Sequence, residues 1–320
     1  MSRGWYRQIG RTPLRTSAII AGASPLASMP HLYGYDVSEG AAVDFVTALL
    51  RSPIRAIDTS NNYGNGSSER RIGKALALAG GVPDGFSIIT KVDAFNGDFS
   101  GSRVRESFRE SSERLGVDSV PLLLLHDPDK FDFRYMSSTG GAVDALVQLR
   151  DEGRADAIGV ATGDTSLLNR YLDLGVFDVI LCHNRFTLVD RSADELFSRA
   201  VDQGVGVLNA AIFGGGILAR PGHVTTYSYR PAEPGLLQAI AAMNEVCTAA
   251  GIDLATAALQ FSLRDPRIDA TVVGITSERR ISRLIASAEV HIPDAVWDEL
   301  EQLVPPASTW LDFSLTRGGS

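Results

Sequence analysis

Short runs that are apolar on both faces alternate along this chain with longer segments of helical period. Strand-like runs fall at 17–21, 55–58, 86–91, 120–126, 157–160, 179–182, 205–210 and 270–273. Between and after them, helical periodicity covers 39–50, 68–78, 102–115, 141–151, 165–174, 193–201, 235–250 and 278–287. A strand buried on one face alternates apolar and polar residues. A strand of a parallel sheet covered by helices is apolar on both faces, and these runs are of that kind. Eight such βα units with no break in composition predict a (β/α)8 TIM barrel, one domain spanning 1–320, rather than an open sheet.

The punctuation agrees. Gly116, Gly153, Gly175 and Gly204 each follow a helical run and precede a strand, where a left-handed cap is wanted. Two segments are long for connections, 22–38 and 212–234. On a barrel such loops cover the active site. The tail, 305–320, carries Trp310 and Phe313 and has no helix period.

Composition narrows the partners. The 320 residues are 44% hydrophobic and 21% charged, ordinary for a globular protein. A net charge of -8 disfavours nucleic acid, which attracts basic surfaces. No apolar run reaches the length of a membrane span, and the arginine-bearing first 14 residues lack the apolar core of a secretory signal. Cys182 and Cys247 stand apart in apolar contexts without metal-ligand spacing, so no metal and a reducing, cytoplasmic setting are expected.

Polar side chains at the C-terminal ends of barrel strands line the site in this architecture. Three neighbouring strands end in Asp58, Lys91 and His126, and Tyr63 lies on the loop that begins at Asp58. Separately each has a plain structural reading: a cap, a solvated cation, a packed imidazole, a turn residue. Together at one mouth they form a proton-transfer set. A lysine cation beside a tyrosine favours the phenolate and lowers its pKa, making it a usable acid and base. Asp58 would orient Lys91, and His126 would direct the substrate oxygen. Lys91 also admits a different chemistry, a Schiff-base lyase.

The run Asp58-Thr59-Ser60-Asn61-Asn62-Tyr63-Gly64, followed by Ser68-Glu69, resembles the signature of the aldo-keto reductase family. Thr90-Lys91 and Leu124-Leu125-His126 resemble its lysine and histidine segments. The resemblance runs from about 14 to 303 and implies that Asp58, Tyr63, Lys91 and His126 are a catalytic tetrad with Tyr63 as acid/base. It also implies a nicotinamide cofactor lying extended over the barrel mouth. The segments 178–188 and 208–211 resemble the branch holding D-threo-aldose, L-galactose and pyridoxal 4-dehydrogenases.

The family's usual carboxamide-binding residues are replaced here by Ala161, Thr162 and Leu181, and the usual ring-stacking tyrosine by Ala210. Thr162, Asn184 and Asn209 are the polar candidates in their stead, and Phe213 is the candidate stacking face. Gly274, Thr276, Ser277 and Arg280 match the segment that holds the adenosine phosphate end, where helix amides favour an anion. Thr276 stands where NADP-preferring relatives carry a cation, so the expected cofactor is NAD, with NADP possible through Arg279 or Arg280. The resemblance implies a small aldose-type carbonyl or hemiacetal substrate. Pyridoxal oxidation, general aldehyde reduction and a non-catalytic cofactor-binding subunit are the alternatives. Tyr33, Phe95, His183, Phe213 and Trp310 are candidates for the pocket wall. A monomer or loose homodimer is expected.

Overall fold

The computed structural model describes residues 4–312. A hairpin of β1 (Tyr6–Gln8) and β2 (Arg15–Ser17) precedes the barrel. The barrel strands are β3 (Ile19–Gly22), β4 (Ala56–Asp58), β5 (Ser87–Val92), β6 (Val120–His126), β7 (Ala155–Thr162), β8 (Val179–His183) and β9 (Gly206–Ala210). A small hairpin, β10 (Thr226–Tyr227) with β11 (Arg230–Pro231), interrupts before the last barrel strand, β12 (Ala270–Gly274). All eight barrel strands pair in parallel, and β12 closes the cylinder between β3 and β9.

The helices are α1 (Pro30–Tyr33), α2 (Glu39–Leu50), α3 (Ser67–Leu78), α4 (Gly101–Leu115), α5 (Phe133–Met136) and α6 (Ala142–Asp151). After them come α7 (Thr165–Leu172), α8 (Asp194–Asp202), α9 (Pro234–Ala249), α10 (Leu254–Arg264), α11 (Glu278–Glu289) and α12 (Asp294–Gln302). Gly116, Gly153, Gly175 and Gly204 all adopt the left-handed backbone expected of them, with φ between 66° and 73°. No single helix among the described residues is long and apolar enough to cross a membrane; α9 and α10 pass that test only as a pair bent by 96°.

Side chains alternate across each strand, so every second residue enters the barrel. Ile20, Ala56, Ile89, Leu124, Ala161, Leu181, Leu208 and Val272 form the inner cluster. Ile9 and Leu14 of the first hairpin join it, so the hairpin stoppers one end of the cylinder. The intervening residues, among them Val92, Leu125, Val160, Cys182 and Val207, pack outward under the helices.

One close approach fixes the helix that follows the tyrosine loop. At Gly73, in α3, an added Cβ would lie 2.0 Å from the carbonyl oxygen of Arg114 at the end of α4. The clash is with backbone, so no rotamer change relieves it. Gly73→Ala is expected to cost about 1–3 kcal/mol of unfolding free energy, the range for overpacking. A urea midpoint equal to that of the parent protein would contradict this.

Candidate active site

The inward positions of β4, β5 and β6 continue from Ala56, Ile89 and Leu124 to Asp58, Lys91 and His126 at the strand ends. The three side chains therefore meet at one mouth by strand parity alone. The loop after β4 is tied down at each step. Thr59 N–H donates to Ile89 O (2.8 Å) and Asn61 N–H to Lys91 O (3.1 Å), which carries the β4–β5 pairing outward. Thr59 Oγ1 lies 2.9 Å from Ser68 Oγ. Arg114 donates to Asn61 O (2.9 Å) and to the fully buried Glu69 (3.1 Å). Tyr63 is thus presented from a loop with little freedom.

Lys91 is 1% exposed and Asp58 4%. A buried ammonium must place its protons, and Lys91 places three: on Asp58 Oδ1 (2.7 Å), Thr59 O (2.7 Å) and Tyr63 Oη (3.2 Å). Tyr63 is partly open to the mouth, with Lys91 Nζ 4.8 Å from its ring centroid. The expectation that Lys91 lowers the pKa of Tyr63 is corrected here. Burial first, and the Asp58 carboxylate second, hold the phenol proton well above its ordinary 10.0. Asp58 balances the lysine's charge, so the cation acts on Tyr63 chiefly through its directed N–H.

His126 meets Tyr63 edge to face, with centroids 5.4 Å apart. Its Nδ1 lies 2.7 Å from Asp93 Oδ1 and 3.0 Å from Ser60 Oγ. Asp93 also accepts from the Ser60 hydroxyl and from Asn62 N–H (3.0 Å). On the other side, Asp127 Oδ2 is 3.8 Å from His126 Nε2, and Asp127 Oδ1 is 3.5 Å from His183 Nε2. Asp127 holds a left-handed backbone, φ 41° and ψ 56°, unusual for a non-glycine residue. Burial opposes protonation of His126, but Asp93 and then Asp127 outweigh it, and its pKa is raised above 6.5. A proton bound more tightly folded than unfolded stabilises the fold below the unfolded value. That contribution is lost as pH rises through the folded one. Burial would raise the pKa of Asp127; His126 and His183 override it and hold the carboxyl below the usual range.

Sequence reasoning overlooked Asp93, Asp127 and Ser60. The signal for Asp93 was present: it stands two residues beyond Lys91, where strand alternation returns a side chain to the same face.

The structure divides the cofactor candidates. Asn184, 1% exposed beside His183, carries a side-chain oxygen that is buried and has no partner among the described residues. Thr162 closes β7 with its hydroxyl 3.4 Å from Asp129 Oδ1. Asn209 does not come to the mouth. Leu208 and Ala210 take the inward positions of β9, and Asn209 points outward to donate to Phe186 O and Ser262 Oγ, both at 2.9 Å. Phe213, on the loop that follows β9, is half-buried and packs against two parts of the core. Gly274 ends β12, with Thr276 and Ser277 half-buried after it. Ser277 precedes α11 in an extended conformation; its carbonyl accepts from Arg280 N–H (3.0 Å), but its hydroxyl does not cap the helix, which leaves the amides of Glu278 and Arg279 to face another acceptor. Arg280 is exposed on that turn.

A dinucleotide fits this set. An unpaired buried amide oxygen suits a carboxamide N–H, an uncapped helix start suits a phosphate, and Ala161, Leu181 and Ala210 floor the mouth with apolar surface for a ring.

Of the pocket-wall candidates, Tyr33 Oη lies 2.7 Å from Ser24 Oγ, and Phe95 is 62% exposed at the rim. Trp310 donates from Nε1 to Pro305 O (3.0 Å), and Phe313 lies outside the described residues. The tail is held by buried Asp312, which accepts from Thr165 N and Oγ1 (3.0 and 2.7 Å) and from Arg185 Nε (3.1 Å).

Comparison with known proteins identifies the family and the fold. The model of the Aldo/keto reductase family matches residues 19–305. L-galactose dehydrogenase of Arabidopsis thaliana is 31% identical over 97% of this chain and 98% of its own length. D-threo-aldose 1-dehydrogenase of a Pseudomonas species is 28% identical over 84% of this chain and 90% of its own. The holo form of an aldo-keto reductase from Bacillus halodurans superposes with a TM-score of 0.75, covering 97% of this chain and 99% of that one at 20% identity, a likeness of fold.

Proposed function

This chain belongs to the aldo/keto reductase family and is an NAD(P)-dependent oxidoreductase, and from that premise we propose that it oxidises a small aldose at the hemiacetal carbon, with NAD as cofactor and Tyr63 as general acid/base. The observation that carries the reading is the threefold donation of buried Lys91 to Asp58, Thr59 O and Tyr63.

When bound, the nicotinamide ring supplies the hydride acceptor or donor. Asn184 and Thr162 would hold its amide. Gly274, Thr276 and Ser277 with the start of α11 would hold the phosphate end, Arg280 standing close by. Phe213 remains the candidate stacking face, and Asn209 drops from the set because of its outward bonds.

The chain's own residues move the proton. Because Lys91 donates to the phenol oxygen, Tyr63 keeps its O–H free for a reacting oxygen at the mouth. In reduction that proton passes to the substrate, and the phenolate left behind is met by the Lys91 N–H. In oxidation the substrate hydroxyl returns a proton to the same oxygen. Fixing the donor in advance is what lowers the barrier.

The sugar substrate is supported by the named activities of the two relatives, and NAD by the uncharged Thr276. Pyridoxal oxidation and general aldehyde reduction use the same tetrad and are arms of the test. A Schiff base on Lys91 is disfavoured, since all three of its N–H groups are committed. A non-catalytic role leaves the tetrad without purpose. We take 1–320 as one functional unit, a monomer or loose homodimer; the free, buried Cys182 and Cys247 suit a reducing, cytoplasmic setting.

Aldoses and pyridoxal supplied with NAD and with NADP, followed by absorbance of the reduced cofactor, should show a sugar oxidised with NAD preferred. Turnover of pyridoxal alone would replace the substrate reading. Saturable cofactor binding without any turnover would replace the enzymatic one.

A further inference from the structure

The hydrogen bonds around His126 bear on where its proton sits. Asp93 is held at both its main-chain groups by α4: its N–H donates to Ser107 Oγ (2.9 Å), and its carbonyl accepts from Arg103 Nε (3.1 Å). Its side chain is 8% exposed. Oδ2 takes the Ser60 hydroxyl proton and the Asn62 N–H, and Oδ1 faces His126 Nδ1 at 2.7 Å. An ionised carboxylate has no proton to give, and the Ser60 hydroxyl has already given its own. Nδ1 is therefore the atom that carries hydrogen.

We propose that Asp93 is a positioning residue that holds His126 as the Nδ1–H tautomer, so that the neutral imidazole offers a lone pair at Nε2 to a substrate hydroxyl beside the reacting carbon. The part of this that concerns substrate rests on the aldose reading above.

The surroundings of Nε2 favour a donor there. Asp127 Oδ2 stands 3.8 Å away, too far for a direct hydrogen bond and itself an acceptor. Two acceptors facing each other across that gap are complemented by an O–H from the substrate. The groups facing the ring are Lys91 from β5 and Asp93 just after it, Ser60 and Tyr63 from the loop after β4, and Asp127, with His183 of β8 behind Asp127. Below its pKa the ring gains an Nε2–H, which turns toward Asp127 and withdraws the lone pair. Recognition of the hydroxyl should therefore strengthen as pH rises through the titration of His126. A vicinal hydroxyl accepted by His126, with the reacting oxygen left to Tyr63, separates sugars from simple aldehydes.

Asp93→Asn tests this because it keeps the bonds from Ser60 and Asn62. The new amide oxygen suits those two donors, so its NH2 turns to Nδ1 and drives the proton to Nε2. The ring tautomer is read directly in the free protein by 15N-histidine NMR, with His126 assigned by its absence in His126→Gln. The parent protein should show Nδ1–H, and Asp93→Asn should show Nε2–H with a lower titration point. In kinetics, the parent should prefer a 2-hydroxy aldose over its 2-deoxy-2-fluoro analogue, which cannot donate, by roughly tenfold in kcat/KM. Asp93→Asn should erase most of that preference. An Nε2–H tautomer in the parent protein overturns the proposal, whatever the variant does. So does a variant whose tautomer and fluoro discrimination are both unchanged. The expected tautomers with no sugar turned over would uphold the role of Asp93 and count against the aldose reading instead.

Discussion

Tyr63→Phe is expected to lower kcat in both directions by about 10²–10⁴-fold, the contribution typical of a positioned acid/base, while cofactor affinity stays unchanged. The substitution deletes one oxygen. The ring keeps its edge-to-face packing on His126, and Lys91 keeps Asp58 and Thr59 O as acceptors. What disappears is the O–H at the mouth and the oxygen that would take the proton back. Steady-state rates in each direction, with cofactor titration by fluorescence quenching, give the comparison. A variant that retained most of its turnover would remove Tyr63 from the mechanism.

Lys91→Met is expected to destabilise the fold as well as abolish turnover. Lys91 and Asp58 form an ion pair at 2.7 Å with side chains 2% and 5% exposed. Asp58 Oδ2 has no partner among the described residues, so the pair's only bond to that carboxylate is the one from Lys91 among those seen at the side chain. Removing the lysine leaves a buried charge uncompensated, which costs about 3–5 kcal/mol. Thr59 O loses its donor at the same time. The double variant Lys91→Met, Asp58→Asn should recover much of the stability and none of the activity, because it removes the orphan charge but not the missing donor to Tyr63. Urea unfolding of the two singles and the double gives the coupling. Additive losses would mean the pair is not acting as a unit.

How much of this was legible in the sequence follows from what each feature depends on. Strands apolar on both faces and glycines at helix ends are local, and they predicted the barrel. The run at 120–126 and the helix at 39–50 coincide with β6 and α2. The β1–β2 hairpin and the β10–β11 hairpin have strands of three and two residues, too short for any period to register. Helices α10 and α12 also escaped, α10 because it follows α9 after a break of four residues that periodicity does not mark.

At the site, Asp58, Tyr63, Lys91 and His126 were found because strand ends and family resemblance point to the same residues. Asn209 was misplaced because its neighbours' inward parity was not applied to it. The direction of the Tyr63 shift depends on a sum over burial and several carboxylates in space, of which the sequence displays only the nearest cation. Asp93 lay two residues beyond the predicted end of its strand at Lys91, so the two were not considered together.

The closure of the barrel has a consequence for the order in which the molecule comes together. Thr271 pairs with Ile19, and Ala270 with Leu208, so β12 supplies partners to the first and the penultimate strand at once. Asp58, Tyr63, Lys91 and His126 all come from an early, contiguous stretch of chain, yet the cylinder that holds them cannot seal until synthesis has passed Gly274. Until then the growing chain carries two unpaired parallel edges, the kind of surface that invites association with other chains. A chain stopped short of β12 would contain every group needed for proton transfer and still be exposed to aggregation through the open seam.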